Sequence, residues 1–125
     1  MKEAQALLSA GLNDGAYYLA GYAVECALKA CIAKGTQRHE FPDKKKVEAS
    51  HTHKLIDLVK LANLEDSRIE RARGDSDFLS NWDLVRVWSE QSRYQKGRRP
   101  EAAQAFVRAV NDRTHGVIAW IKLHW

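Results

Sequence analysis

Cysteine, proline and methionine are scarce in this 125-residue chain, which holds two, two and one of them. Cys26 and Cys31 lie five apart on what reads as one helix, about 140° around its axis, so a mutual disulfide is excluded and each reads as a small core residue. Pro42 falls in a polar stretch and Pro100 at the first turn of a helix, so neither interrupts an apolar segment. No alternating apolar run bounded by turn pairs argues for a sheet. There is no glycine-rich phosphate loop, no histidine-glutamate metal motif and no serine nucleophile elbow, which removes the enzyme classes built on them. The first residues, MKEAQALLSAG, lack the apolar run of a secretory signal, and a cytoplasmic location is the expectation. No internal repeat or low-complexity segment is present.

What the chain does have is a hydrophobic content of 45%, enough for one globular domain over 1–125. It is organised around Ala16 to Ala33, AYYLAGYAVECALKACIA, where Glu25 and Lys29 are the only charges. Apolar residues recur at 16, 20, 23 and 27 and also at 17, 21, 24, 28 and 31, two adjoining stripes that several neighbours must cover. At about eighteen residues the stretch is near the lower limit for a bilayer span. A mid-segment Glu25 that pairs with Lys29 one turn on, with no aromatic belt or basic flanks, argues instead for a buried helix of a bundle and no membrane.

Around that helix, Lys2 to Ala10 forms a short helix stopped by Gly11. Asn13 or Asp14 caps the central helix, and Gly35 ends it in the left-handed conformation. The polar segment 36–50, TQRHEFPDKKKVEAS, reads as a mobile loop. Thr52 is a cap for a third helix over His53 to Leu64, and Glu65 to Arg73 reads as surface helical turns before Gly74. Asp75 or Ser76 caps a fourth helix whose Phe78, Trp82, Val85 and Trp88 face inward. Pro100 opens a last helix with Ala103, Phe106, Val110, Val117 and Ile121 inside. The fold class is all-α, an up-and-down bundle of four main helices plus short helical segments.

Charge is concentrated more than its net value of +4 implies. Between Glu90 and Glu101 there is no acid, while Arg93, Lys96, Arg98 and Arg99 occur there beside Trp88 and Tyr94. Point charges for phosphates next to flat faces for bases suit a nucleotide or single-stranded RNA, and Arg93 can also turn inward to Glu25. His51 and His53 are a two-residue pair with no cysteine or carboxylate beside them in the sequence, too few ligands for a structural metal, so no metal and no cofactor is expected.

The stretch ALLSAGLNDGAYYLAGYAVECALKACI, then HKLIDL, then SRY and a closing helix ending GVIAWI, resembles the prokaryotic HEPN domain. Its most specific piece is AVECALKA, with Glu25 and Lys29 at signature positions and His53 opening the next helix. The resemblance implies a four- to five-helix bundle that dimerises and is commonly paired with a nucleotidyltransferase-family protein. Ribonuclease members of the family carry an arginine, then four to six intervening residues, then a histidine near the start of the last helix. In that cut the histidine handles a proton and the arginine stabilises phosphate charge. Here the corresponding segment reads Arg93-Tyr94-Gln95-Lys96-Gly97-Arg98-Arg99, with no histidine until His115.

Three functional expectations follow. The first is a nucleotide- or RNA-binding bundle acting through Arg93, Tyr94, Lys96, Arg98 and Arg99, as a homodimer or as one component of a nucleotidyltransferase or toxin-antitoxin pair. The second is a metal-independent ribonuclease toxin using Arg108 and His115, seven apart and so on one face of the last helix two turns along, or using His53 with an arginine supplied by another helix or subunit. The third is a non-catalytic interaction module whose Trp120, Ile121, Leu123 and Trp125 cover a partner.

Overall fold

The computed structural model describes residues 1–35 and 52–125; the loop expected over 36–50, with His39 and Lys44 to Lys46, and His51 lie outside the described residues. Among the described residues the chain is all-α. It runs α1 (Lys2–Ser9), α2 (Asn13–Gly35), α3 (Leu55–Leu61), α4 (Glu65–Gly74), α5 (Ser76–Val85), a 3₁₀ helix (Glu90–Tyr94), α6 (Pro100–Asn111) and α7 (Val117–Lys122). No described helix is long and apolar enough to cross a membrane.

The two apolar stripes make α2 the axis of the fold. Ala16, Ala20, Val24, Ala27, Leu28, Cys31 and Ile32 are buried on it, against α1, α3, the 3₁₀ helix, α6 and α7. Cys26 and Cys31 are free thiols, the first exposed and the second buried. The small residues of α2 let neighbours come close. A Cβ on Gly21 would stand 2.2 Å from the ring of Trp88, so glycine is required where that indole crosses the helix.

Helix ends follow local chemistry. Gly11, at φ +78, closes α1 in a left-handed turn in which the Leu12 and Gly11 amides donate to the Leu7 and Leu8 carbonyls. Asn63, at φ 59, does the same for α3, whose Leu64 and Asn63 amides reach Val59 and Lys60. That places the end of α3 at Leu61 rather than at the expected Leu64, and its start falls at Leu55, with Thr52 accepting only the Lys54 amide and capping nothing. Gly35 closes α2 without the left-handed conformation expected of it. Asp75 caps α5 by accepting the Phe78 amide at 3.0 Å. The helix stops at Val85, so Trp88 lies beyond it in the turn leading to the 3₁₀ helix, buried with its indole nitrogen unpartnered.

The single last helix expected from Pro100 onward is instead two. Asp112 leaves the helical conformation at ψ 132, and its carboxylate accepts the Thr114 and His115 amides at 2.9 and 2.6 Å. Gly116 then passes so close to Asp112 that a Cβ would sit 2.3 Å from its carbonyl oxygen. A short polar side chain that satisfies local amides competes with helical hydrogen bonding, and here the turn wins.

Candidate functional site

α2, the segment before α3 and the 3₁₀ helix bring five ionisable side chains together. Glu25 lies in the buried stripe of α2 and is 2% exposed. Its Oε1 accepts from Lys29 Nζ at 2.9 Å and from His53 Nδ1 at 2.7 Å, while Oε2 is buried without a hydrogen-bond partner. His53 is half exposed and presents Nε2 to Glu90 Oε2 at 3.1 Å. Two carboxylates at this spacing orient the ring from either side. Glu90 in turn stands 4.0 Å from Arg93, whose guanidinium covers the Tyr94 ring and donates to its hydroxyl. That bond, followed by the charge of Tyr94, holds the Arg93 guanidinium still more firmly protonated.

Arg93 is therefore not Glu25's partner. Glu25 bonds Lys29 and His53, and the line from it to Arg93 runs through His53 and Glu90. The physical reason is that the 3₁₀ helix carries its own acid one turn before Arg93, and an i, i+3 partner is nearer than a residue in the core.

The connector between the 3₁₀ helix and α6 is divided by its packing. Arg98 turns inward, its guanidinium carbon 3.4 Å from the centroid of Tyr17 and Nη2 2.9 Å from Gln95 Oε1. Tyr17 itself packs on Phe106 at 4.0 Å, and burial raises its hydroxyl's pKa, with Arg98 opposing the shift. Asp14, expected as a cap for α2, instead accepts the Gly97 and Arg98 amides, each at 2.9 Å. Gly97 takes φ +83 there, a conformation that suits glycine. Arg98 is thus an anchor, whereas Lys96 and Arg99 are exposed and make no ion pair among the described residues. Tyr94 is 64% exposed, which leaves one face of the ring open beside Arg93.

The Arg108 and His115 pair is not formed as expected. The break at Asp112 ends the helix between them, and His115 turns to α5, where Nδ1 meets Asp75 Oδ2 at 2.7 Å. Arg108 stays on the exposed side of α6, lining a groove with Gln5, Gln104 and Asn111. The Asp75 bond is the first cause of a raised His115 pKa and of a lowered Asp75 pKa. Sequence reasoning missed this constellation, which with Asp77 places one ligand atom from each of three residues within 4.8 Å. His115 Nδ1 and Asp75 already satisfy each other, and Arg71 lies 3.4 Å from Asp75, so the group reads as an ion-pair junction. Two residues of the expected partner surface, Trp120 and Ile121, are in the core instead: Trp120 stacks on Phe78 and Trp82 and donates to Ser67, leaving Leu123 and Trp125 exposed.

Chemically, the connector and the 3₁₀ helix offer exposed cations on a pinned backbone next to a histidine aligned by two acids. Comparison with protein-family models, curated proteins and solved structures returned no match.

Proposed function

We propose that this chain is a cytoplasmic HEPN-type bundle that binds RNA or a nucleotide by its phosphates. Arg93, Tyr94, Lys96, Arg98 and Arg99 make the contacts, Arg98 from its inward position against Tyr17. The observation that carries this reading is the Asp14 clamp: the Gly97 and Arg98 amides of the basic connector already hold an anionic group, with Lys96 and Arg99 exposed on either side of them in the chain. The bundle works as a homodimer or beside a nucleotidyltransferase-family partner, as the HEPN resemblance implies; a monomer by light scattering at physiological salt argues against the homodimer.

The test is a salt series with single-stranded RNA. Replacing Lys96 and Arg99 by glutamate is expected to weaken binding at least tenfold and to reduce the slope of log affinity on log salt by about 1.4, two single-strand phosphate contacts. An unchanged affinity and slope in a folded double variant refutes the reading.

A second reading, RNA cleavage, is favoured by one geometry, the His53 ring held between Glu25 and Glu90 with Arg93 next in line. There His53 serves as the proton-transfer group and Arg93 neutralises phosphate charge. Growth inhibition or RNA cleavage that persists at wild-type level in His53→Ala eliminates it.

A further inference from the structure

The Asp14 clamp has the chemistry of an occupied anion site. Two successive amides, Gly97 and Arg98, converge on one carboxylate, Oδ2 taking the first and Oδ1 the second at 2.9 Å each. Gly97 at φ +83 gives the backbone the left-handed turn by which consecutive N–H groups form an anion-binding concavity. A third donor points the same way. Arg98 Nη1 is buried without a hydrogen-bond partner and stands 3.9 Å from Asp14 Oδ1, beyond hydrogen-bond reach. The guanidinium cannot close that gap cheaply, because Tyr17 holds its face and Gln95 holds Nη2. A planar carboxylate with two oxygens serves the two amides and fails the third donor. A terminal phosphate has three non-bridging oxygens spread over a wider span and serves all three donors.

We propose that Gly97 and Arg98 form the seat for a phosphate group, with Asp14 as its resident occupant, displaced when phosphate enters. The proposal rests on the reading of the connector as a phosphate-binding element and assigns which donors take the first phosphate. Asp14 then sets a threshold. A lone phosphate must outcompete a tethered carboxylate, whereas a polyanion that also meets Lys96 and Arg99 does so readily, which favours a phosphorylated RNA end or a nucleoside polyphosphate over free phosphate. Asp14 is one-third exposed, so its side chain has solvent to move into.

The opposite role, a permanent staple, makes the opposite prediction. Titration of ¹⁵N-labelled protein with inorganic phosphate and with pyrophosphate at constant ionic strength reads both. In Asp14→Asn, which removes the charge and keeps the shape, phosphate is expected to bind about tenfold tighter than in wild type. The Gly97 and Arg98 amide resonances should move together along the titration. Adding Arg98→Lys, which keeps the charge and loses the fork, should abolish the gain. Phosphate binding that is unchanged or weaker in folded Asp14→Asn overturns the proposal. If the variant fails to fold, the wild-type protein decides: pyrophosphate should shift the Asp14 carboxyl carbon resonance as the group leaves the amides, and a carboxyl that stays put through saturation overturns it. RNA binding that depends on Lys96 and Arg99 while Gly97 and Arg98 do not respond sinks the seat alone. A responsive seat with RNA affinity indifferent to Lys96 and Arg99 sinks the connector reading and leaves the seat standing.

Discussion

Two histidines in this chain each lie 2.7 Å from a carboxylate, and the two pairs serve different ends. At the junction of α5 with the turn before α7, Asp75 has both oxygens answered: Oδ1 takes the Phe78 amide, and Oδ2 takes His115 with Arg71 close by. The turn is tied down a second and third time, by Arg71 donating to the Thr114 carbonyl and Asn81 to that of His115. Those bonds answer both oxygens of the acid, although Arg71 Nε beside it is buried without a hydrogen-bond partner among the described residues, and their product is the position of α7. Beside His53, Glu25 is more deeply buried than Asp75, yet among the described residues one of its oxygens takes both donors and the other takes none. Its histidine faces outward to a second acid. A short histidine-carboxylate distance therefore does not by itself mark a site. What separates the two is whether the acid's remaining valences are closed by backbone and neighbours, because a half-satisfied buried carboxylate costs stability that a purely structural contact has no reason to bear.

Each region also depends on one glycine, and breaking these gives the largest expected effects. Gly116→Ala drives a Cβ into the backbone of Asp112, which cannot move without undoing the junction, and should cost about 3 kcal/mol in urea denaturation. Gly21→Ala meets the Trp88 ring, a side chain that can tilt, and should cost about 2 kcal/mol. The second change shifts the turn that leads into Glu90 and Arg93, so it should also weaken RNA binding, while Gly116→Ala, measured where it is still folded, should not. If Gly116→Ala proves the milder of the two, the claim that the junction is the more rigid region is wrong.

The difference between the regions bears on how much was legible in the sequence. The all-α class and the central helix were, because two adjoining apolar stripes over Ala16 to Ala33 admit no other packing. Gly11 as a stop, surface helical turns from Glu65 to Arg73 and a cap at Asp75 or Ser76 were legible from local chemistry; the structure carries that helix on through Gly74 and gives the cap to Asp75. The break in the last helix was not, although Asn111, Asp112 and Gly116 are turn residues. Val110 and Val117 are two helical turns apart, so the inward periodicity continues across the interruption as if nothing had happened. The basic window was legible as charge and illegible as geometry. Asp14 and Arg98 are 84 residues apart in the chain, and nothing in SRYQKGRR says which arginine turns to Tyr17 and which stays in solvent. Trp88 likewise follows the spacing of Phe78, Trp82 and Val85, but it finds Gly21 from beyond the end of the helix.

The smallest effect is the one that reads the junction most directly, its response to pH. His115 has a folded pKa raised above its ordinary value of 6.5, first by the hydrogen bond to Asp75. Its contribution is full below that ordinary value and is lost as pH rises through the raised one. Asp75 and Asp112 are lowered from 3.8, first by His115 itself and by the His115 amide respectively. Their contributions are present above that value and are lost as pH falls through the depressed ones. The junction is therefore at full strength between pH 3.8 and 6.5 and loosens from neutrality upward. His115→Gln removes the titrating partner, so the melting temperature of the variant should fall furthest below wild type between pH 3.8 and 6.5 and converge on it as pH rises through the raised value. Arg71 faces the same carboxylate and stays charged throughout, which limits the size of the change without altering its sign. Melting curves that run parallel for the two proteins across that range mean that His115 holds the turn through its backbone bonds alone, and that the side-chain pair at the junction is as dispensable as its distance made it look essential.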